Sequence, residues 1–320
     1  MQDKSIGGFI ELEFYNGKGP YHTNAIKLAT GRACLSLFLE TYKPRMVYLP
    51  YYTCNTLIDP LIINKTPFKF FEIDKDLNPL FSKNLKDNEY LLYINYFDIK
   101  NSRIAQLEKE HGSKLIIDNT QAFYHENYKQ AIASFNSGRK FFGVPDGGYL
   151  YSKKEISRKL KRNENYTIAY LLSRSIGKTE VYYNQFLENE KKLNSQIAGM
   201  SSLSETILDH TDYLFCAKKR IENFHFLHNH LSKHNQFLID AKSISVPYAY
   251  PFLPAKFIDR SKFYNKRLFI STLWLDVLNR GHKGFKTEKY LSANLLPLPI
   301  DQRYGEKEMQ IVIKLLKPYL

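Results

Sequence analysis

Short apolar runs alternate with amphipathic stretches between residues 31 and 151 of this 320-residue chain. Runs of strand length between turn residues predict buried strands, and a three-to-four-residue apolar spacing predicts helices. The predicted strands cover residues 46–49, 68–73, 90–96, 114–118, 131–135 and 149–151. The predicted helices cover residues 32–42, 53–62 and 102–111, the last with Gly112 as its C-cap. This alternation predicts a mostly parallel sheet with helices on both faces.

The pattern changes in the second half of the chain. Residues 203–234 contain few helix breakers, which predicts one long helix that bridges two lobes. Beyond it, residues 246–253, 268–275 and 295–298 have the composition of strands, and a final helix is expected from Gly305. We therefore predict a large lobe at residues 1–212 and a smaller α/β lobe, with the bridging helix, at residues 213–320.

Composition and charge narrow the possible partners. The net charge of +14 and the pI near 9.4 suit an anionic partner, such as a phosphorylated small molecule. The basic residues are dispersed and match no zinc-finger or RNA-recognition pattern, so nucleic-acid binding is not expected. Cys34, Cys54 and Cys216 form no CxxC pair, which favours a reducing cytoplasm. No run approaches the length of a membrane span, and no signal peptide is recognisable.

The candidate chemistry centres on one carboxylate and one amine. An apolar run delivers Asp118 at the carboxyl end of a predicted strand, where open α/β sheets bind their ligands. Lys140 lies between the next strand and a glycine-rich turn, so both side chains are expected in the same crevice. A lysine amine forms a Schiff base with an aldehyde, and an aspartate keeps a pyridinium nitrogen protonated. The pair predicts a pyridoxal phosphate site.

Several further residues are candidates for holding such a cofactor. Thr30, Gly31 and Arg32 form a glycine turn at the start of a predicted helix, which is a common phosphate site and equally a common helix cap. Ser134 offers a hydroxyl at a strand end, although such residues often satisfy only local backbone groups. Gln121 follows the Asp118 strand and is a candidate hydrogen-bond partner of the cofactor's phenolic oxygen, or an ordinary turn residue.

The chain resembles the DegT/DnrJ/EryC1/StrS group of sugar aminotransferases. These are pyridoxal phosphate enzymes of the aspartate aminotransferase-like, α/β fold that act on nucleotide-linked keto sugars. The resemblance rests on segments in matching order over nearly the whole chain. They are Thr30-Gly31-Arg32-Ala33, Leu49-Pro50-Tyr51-Tyr52-Thr53, Glu72-Ile73-Asp74, Asp118-Asn119-Thr120-Gln121-Ala122, the segment from Ser134-Phe135 to Gly147-Gly148, and Leu296-Pro297-Leu298-Pro299.

The resemblance implies a role for each matching residue. Lys140 would link covalently to pyridoxal phosphate, and Asp118 would face its pyridinium nitrogen. Gln121 would lie near the phenolic oxygen. The phosphate would be held by the Gly31 turn with Arg32 and by Ser134. The resemblance also implies a homodimer.

The chain departs from the family pattern at three places. Counted from Ser134, the family lysine falls on Arg139, whereas the spacing to the glycine pair favours Lys140; a guanidinium stays protonated, so Lys140 is the workable nucleophile. Cys54 stands where many members have an aromatic residue on the ring, so either Tyr52 substitutes for it or stacking is weaker. The family's interface segment is represented at most by residues 199–202.

A histidine-rich stretch raises a metal hypothesis. His230 and His234 share one helix face, and His225 and His228 are close by in sequence. No acidic or thiol ligand follows at suitable spacing, and the apolar residues of the same stretch form an ordinary core stripe. No metal site is therefore predicted.

The sequence thus predicts a cytoplasmic, homodimeric aminotransferase that moves an amino group, from glutamate, to a nucleotide-linked keto sugar. Its products would serve surface polysaccharides or other glycoconjugates. Two alternatives stay open at this stage. One is a pyridoxal-dependent sugar dehydratase, which the presence of lysine rather than histidine disfavours. The other is a protein that keeps the fold without catalysis and acts in binding or assembly.

Overall fold

A computed structural model describes residues 14, 17–177, 183–241 and 244–320. Its central feature is an eight-stranded sheet, and a separate two-stranded sheet lies near the carboxyl terminus. The strands are β1 (Ile26–Leu28), β2 (Met46–Pro50), β3 (Phe68–Ile73), β4 (Pro79–Leu80), β5 (Glu89–Ile94), β6 (Leu115–Asn119), β7 (Ala133–Ser137), β8 (Gly148–Ser152), β9 (Tyr250–Phe252) and β10 (Leu296–Leu298).

The large sheet is mixed, with a parallel centre. Its strand order is β1-β8-β7-β6-β5-β2-β3-β4. The central strands β3, β2, β5, β6 and β7 run parallel, whereas β8, β1 and β4 pair antiparallel at the two edges. Because parallel strands end at the same edge of a sheet, the loops after β2, β5, β6 and β7 meet there. The predicted α/β fold and all six predicted strands of the first half are confirmed.

Helices flank this sheet and form most of the second half. They are α1 (Gly31–Tyr42), α2 (Asn55–Ile63), α3 (Asn101–His111), α4 (Ala169–Ser175), α5 (Tyr183–Lys192), α6 (Ser202–Asp209), α7 (Tyr213–Leu231), α8 (Ser261–Tyr264), α9 (Leu275–Asn279), α10 (Lys286–Asn294) and α11 (Glu306–Leu316). The three helices predicted in the first half are confirmed, and α3 ends at Gly112, whose positive φ of 50° suits glycine.

Two predictions for the second half are wrong. The single long helix over 203–234 is two helices, α6 and α7, because Asp212 accepts a hydrogen bond from the Phe215 backbone and starts a new helix. The predicted strand at 268–275 is irregular chain that leads into α9. Side-chain packing buries Leu268 and Ile270 in this segment. The alternation of apolar and polar residues there therefore reflects burial, without strand pairing.

Buried apolar side chains among the described residues form three clusters. One lies around Phe123, Phe142 and Leu208. The largest surrounds the eight-stranded sheet and includes residues of α9 and α10, such as Val277 and Leu291. The third lies among α7, β9, β10 and α11, around Phe224, Leu296 and Met309. The lobe boundary predicted at residue 212 stays a prediction, although α7 begins at the next residue. Within the described ranges, no helix combines the length and apolar character needed to cross a membrane.

Candidate active site

The carboxyl end of β6 carries the first element of the candidate site. Asp118 is the fourth residue of this strand and is only 4% exposed, since strands pair with β6 on both sides. One carboxylate oxygen, Oδ1, accepts a 2.7 Å hydrogen bond from the backbone N–H of Thr120. Burial raises the pKa of Asp118, while the nearby Lys140 ammonium acts in the opposite direction. The buried carboxylate is thus placed where a cationic group would stabilise it.

Lys140 reaches this strand end from the neighbouring strand. It occupies a short 3₁₀ turn, Gly138–Lys140, that follows β7 directly. Its Nζ donates a 3.0 Å hydrogen bond to Oγ1 of Thr120. Thr120 therefore joins the two candidate catalytic residues, with its backbone N–H on Asp118 and its hydroxyl on Lys140. No sequence motif predicts a role for Thr120, although its place two residues after Asp118 at a strand end is a usable signal.

Arg139 points to different partners from its neighbour Lys140. Its guanidinium forms an ion pair with Glu190 of α5. Arg32 lies in the same group: burial is the main cause that lowers its pKa, and the charge of Arg139 adds to it. Of the two adjacent basic residues, Lys140 is the one beside Asp118.

The phosphate candidates at the start of α1 lie against the same strand end. Thr30 is the N-cap of α1, and its hydroxyl accepts a 3.0 Å hydrogen bond from the backbone N–H of Ala33. A Cβ atom added to Gly31 would lie 3.1 Å from the methyl carbon Cγ2 of Thr120. The helix start and the turn after β6 are therefore in direct contact. Arg32 extends away toward Glu190, whose carbonyl oxygen lies 3.4 Å from its Nη2.

Ser134 lies on the opposite face of the sheet from Asp118. In the parallel register, Asp118 pairs with Phe135, and paired residues share a face while consecutive residues alternate. The Ser134 hydroxyl accordingly reaches the carbonyl oxygen of Glu126, at 3.5 Å. Ser137, two residues beyond Phe135, shares the face of Asp118. Alternation counted from Phe135 would have selected it, and the phosphate role of Ser134 stays a prediction.

Gln121 and Tyr52 are both fully enclosed. The Gln121 amide oxygen accepts a 2.9 Å hydrogen bond from the backbone N–H of Phe97, so this side chain fixes the turn after β5. The Tyr52 ring packs against Tyr96 and Trp274, with ring centroids 5.6 and 5.2 Å away. The Tyr52 hydroxyl has no hydrogen-bond partner among the described residues. Their predicted roles toward a cofactor stay predictions.

The segment after Lys140 is anchored by a buried arginine. The carbonyl oxygen of Phe141 accepts hydrogen bonds from Arg220 of α7, at 3.2 Å, and from Gln302, at 2.7 Å. Arg220 is 1% exposed, stacks on the Phe141 ring and also donates to the carbonyl oxygen of Tyr248, at 3.1 Å. These contacts tie the peptide that follows Lys140 to α7 and to the carboxyl-terminal part of the chain.

A buried aspartate anchors the glycine-rich turn of the same segment. Asp146 is fully buried and accepts hydrogen bonds from the hydroxyl and backbone N–H of Ser201, at 2.7 and 3.0 Å. Its second carboxylate oxygen also accepts from the side-chain amide of Asn163, at 2.8 Å. Asp146 therefore fixes the glycine-rich turn rather than facing Lys140. We call residues 141–148 with these anchors the lysine-segment frame.

The histidine-rich stretch forms no metal cluster in the described ranges. No group of three or more His, Cys, Asp or Glu side chains with metal-binding geometry occurs there. His230 lies on α7, where its ring nitrogen Nδ1 is 2.8 Å from the carbonyl oxygen of Phe226, and His228 stacks on Phe224.

Comparisons with known proteins place this architecture. No family model and no curated protein matches the sequence. Solved structures match over most of the chain. A DegT DnrJ EryC1 StrS aminotransferase from Brucella abortus is 14% identical, with a TM-score of 0.60 over 92% of this chain and 85% of that one. NtdA from Bacillus subtilis, with bound cofactor PMP, is 13% identical, with a TM-score of 0.66 over 92% and 73%.

A third match has a different reaction in its name. GDP-4-keto-6-deoxymannose-3-dehydratase, with a trapped PLP-glutamate geminal diamine, is 15% identical, with a TM-score of 0.64 over 92% of this chain and 88% of that one. At these identities the likeness defines the fold alone. The chain has the fold of the pyridoxal-dependent aminotransferases, as its sequence predicts.

Lys140 and Asp118 fit the two reactive groups of pyridoxal phosphate, its aldehyde and its ring nitrogen. Lys140 supplies an amine, and Asp118 supplies a buried carboxylate beside it, which are the groups that a pyridine aldehyde needs at its two ends. The side-chain oxygens of Thr30 and Gln121 already accept hydrogen bonds within the protein. The fit therefore rests on Lys140, Asp118 and the start of α1.

Proposed function

We propose that the protein is a pyridoxal phosphate-dependent aminotransferase that acts on a nucleotide-linked keto sugar. The observation that carries the proposal is the convergence of Lys140, Thr120 and the buried Asp118 at one strand end, next to the start of α1. The fold supports it, because solved proteins with this fold include sugar aminotransferases. An amine beside a buried carboxylate is the arrangement that this chemistry requires.

Each residue has a defined task in this proposal. The bound cofactor would supply an electron sink for the carbon that carries the amino group. Lys140 would hold the cofactor and, once released, carry a proton to and from the substrate carbon. Asp118 would keep the proton on the ring nitrogen, since a buried carboxylate favours a cation beside it. Thr120 would position the Lys140 amine through its hydroxyl, and the start of α1 would receive the phosphate.

The wider biological setting is part of the proposal. We infer a cytoplasmic homodimer that takes its amino group from glutamate and whose product serves polysaccharide or glycoconjugate synthesis. The net charge of +14 suits an anionic, nucleotide-linked substrate. Ping-pong kinetics are expected, because amino donor and keto sugar react in separate half-reactions.

The test is to trap the cofactor on the protein. Purified protein is incubated with pyridoxal phosphate, reduced with borohydride and digested, and the modified peptide is identified by mass spectrometry. Modification confined to Lys140 is expected, and the Lys140→Ala variant should lose it. Lys159→Ala is the matched control, because Lys159 is exposed and far from the strand end in sequence. A label spread over surface lysines would contradict the proposal.

A second candidate function is supported by the Arg139 position. Arg139 occupies the family's lysine position when counted from Ser134, and it is ion-paired with Glu190. A protein that keeps the fold but binds ligand without transferring an amine would show this feature too. Failure of the trapping experiment together with specific sugar-nucleotide binding would favour this second candidate.

A further inference from the structure

The turn that follows β5 has an unusual backbone. Phe97 and Asp98 lie in it, and their φ angles are 57° and 61°. Residues other than glycine rarely adopt this left-handed region, and they persist there only where surrounding contacts hold them. Because β5 and β6 are parallel neighbours, this turn lies at the same edge of the sheet as Asp118. We call residues 95–98 the β5 turn and residues 120–125 the β6 turn.

The β6 turn holds the β5 turn at both of its left-handed residues. The side-chain oxygen Oε1 of Gln121 accepts a 2.9 Å hydrogen bond from the backbone N–H of Phe97. At the far end of the β6 turn, Nε2 of His125 lies 2.6 Å from Oδ1 of Asp98. The two turns are therefore joined at two points, one near each end of the β6 turn.

Asp98 is the centre of these contacts and is fully buried. Its Oδ1 also accepts from the side-chain amide of Asn101 in α3, at 3.2 Å. Its Oδ2 accepts from the backbone N–H of Val246, at 2.8 Å. Each of these contacts reaches a different element, and among the three only the one with His125 reaches the β6 turn. A buried carboxylate is stable only with such partners.

His125 is well suited to pair with this carboxylate. Burial acts to lower the pKa of His125, but the hydrogen bond and the charge of Asp98 outweigh it and raise the pKa above its ordinary value. The ring of Tyr128 stacks on the ring of His125, with centroids 6.2 Å apart. Hydrogen bonds between charged groups are roughly twice as strong as neutral ones. The imidazole is thus held by a strong bond and by packing.

The other flank of the β6 turn is fixed to β7. Nδ2 of Asn136 donates to the carbonyl oxygens of Phe123 and His125, at 3.0 and 2.7 Å. Because β7 leads directly to Lys140, these bonds fix one flank of the turn relative to the Lys140 backbone. The contact between His125 and Asp98 fixes the other flank relative to β5.

Thr120, at the start of the β6 turn, connects this anchoring to the candidate catalytic residues. Its backbone N–H donates to Asp118, and its hydroxyl accepts from Lys140. A Cβ atom added to Gly31 would lie 3.1 Å from Cγ2 of Thr120, so there is little free space on the side of α1. Reactive side chains must be held to within about 0.5 Å of their working geometry. A loosened β6 turn would move the Thr120 hydroxyl away from the Lys140 amine.

We propose that Asp98 and His125 form a positioning pair that holds the β6 turn in place. Through Thr120, the pair keeps the Lys140 amine beside the Asp118 carboxylate. The value of this position for amino transfer rests on the proposed function, whereas the effect on the amine itself does not.

The experiment compares two variants of the full chain. His125→Phe keeps a ring beside Tyr128 but removes the N–H, and His125→Gln keeps an N–H donor for Asp98. Each protein is labelled briefly with acetic anhydride, and mass spectrometry gives the ratio of labelled Lys140 to labelled Lys159, which is exposed. In His125→Phe this ratio should rise about threefold, because Thr120 no longer holds the amine, and backbone hydrogen exchange in the β6 turn should quicken about tenfold. In His125→Gln both should stay within about twofold of the unmodified protein.

His111→Phe is the matched control. His111 is partly buried, lies 3.9 Å from a carboxylate oxygen of Glu110 and packs on Phe81, but it ends α3, which leads into the amino end of β6. It should change neither the label ratio nor the exchange of the β6 turn. Equal changes in His111→Phe and His125→Phe would overturn the inference, because they would report general loosening.

Two other results would also overturn it. One is an unchanged label ratio and exchange in His125→Phe. The other is an equal effect of His125→Phe and His125→Gln, since the N–H donor would then be irrelevant. If His125→Phe does not fold, His125→Asn takes its place, because the shorter amide stops short of Asp98, and the same results decide.

Borohydride trapping separates this inference from the proposed function. With pyridoxal phosphate, trapping at Lys140 should be about tenfold slower in His125→Phe than in the unmodified protein. A protein that is not trapped, but whose label ratio shifts as described, would contradict the aminotransferase and leave the positioning pair supported. Trapping at an unchanged rate in His125→Phe would overturn the positioning pair alone.

Discussion

The candidate catalytic pair, Lys140 and Asp118, is held by fewer hydrogen bonds than the lysine-segment frame. Lys140 makes one side-chain hydrogen bond, to Thr120, among the described residues, and Asp118 bonds to the same turn. The frame, by contrast, is fixed by Arg220 and by the buried Asp146, each through several hydrogen bonds. The side chains of Lys140 and Asp118 are thus held by few hydrogen bonds, whereas several hydrogen bonds fix the backbone that follows Lys140. Substitutions in the pair should change reactivity, and substitutions in the frame should change stability.

The largest effect is expected for Asp118→Asn. The asparagine side chain keeps an oxygen that accepts from the Thr120 N–H, but it has no charge to hold a proton on the ring nitrogen. The rate of amino transfer should therefore fall about 10³-fold. The free energy of unfolding should change by less than about 1 kcal/mol, since burial already disfavours the carboxylate. Single-turnover kinetics and urea unfolding measure the two quantities.

Asp87→Asn is the control for Asp118→Asn, because its side chain is fully exposed and only loosely paired, at 3.7 Å, with Lys114. It should change neither quantity. Near-normal transfer by Asp118→Asn would contradict the role given to the carboxylate. A large loss of stability would place Asp118 in the frame instead.

Gly148→Ala should have the largest effect within the frame. A Cβ atom there would lie 2.6 Å from both the carbonyl carbon and the oxygen of Thr30, which are backbone atoms and cannot turn aside. The free energy of unfolding should fall by about 3 kcal/mol, the upper end for overpacking. Gly143→Ala is the matched control, since its added Cβ meets nothing within 4 Å. Equal unfolding midpoints in urea for the two variants would refute the close contact between β8 and α1.

Arg220→Met tests the other anchor of the frame. Methionine fills much of the arginine volume but leaves the carbonyl oxygen of Tyr248 without a donor and that of Phe141 with Gln302 alone. The free energy of unfolding is expected to fall by about 2 to 3 kcal/mol. Two buried carbonyl oxygens lose a charged donor, which destabilises the fold, and the removal of a buried charge offsets part of this loss. Arg303→Met is the control, as this exposed arginine pairs with Asp301 near the surface. An equal change in both would contradict the anchoring role.

The convergence of Asp118 and Lys140 was predictable from the sequence, and the lysine-segment frame was not, for a physical reason. Asp118 ends a continuous apolar run, and strand ends at a sheet edge are where ligands bind, so a local pattern was sufficient. Arg220 bonds across 79 residues to Phe141, and no local pattern reports so distant a contact. The single helix predicted over 203–234 failed similarly, because the break depends on one capping side chain, Asp212.

The alternation of side chains along a strand predicts the face of the sheet on which each residue lies. The position of Ser134 near a strand end predicts a phosphate ligand, and this stays a prediction; the parallel register puts Phe135, not Ser134, on the face of Asp118. Alternation then gives Ser137 the same face as Asp118 and Ser134 the other. The fold class and the convergence of Asp118 and Lys140 thus follow from apolar runs, whereas the faces of the donors around them depend on strand register.

The smallest effect is expected at His22, whose side chain lies between Tyr151 of β8 and the turn after Asp118 and makes stability depend on pH. His22 is fully buried between Tyr151 of β8 and the carbonyl oxygen of Phe123, with its ring nitrogens 2.7 and 2.8 Å from them. Burial lowers the pKa of His22 from 6.5 to about 4. Between these values the unfolded chain binds a proton that the folded protein does not, so stability falls as the pH falls through this window.

We expect this histidine to cost about 2 kcal/mol of stability between pH 7 and pH 4.5. Urea unfolding at both values, compared with His22→Asn, measures it: the variant should be less stable at pH 7 but should lose about 2 kcal/mol less on acidification. His210→Asn is the control, because this histidine is exposed and should leave the pH dependence unchanged. If His22→Asn loses as much stability on acidification as the unmodified protein, the His22 ring is charged in the folded protein, and its contact with Tyr151 and Phe123 is looser than its burial implies.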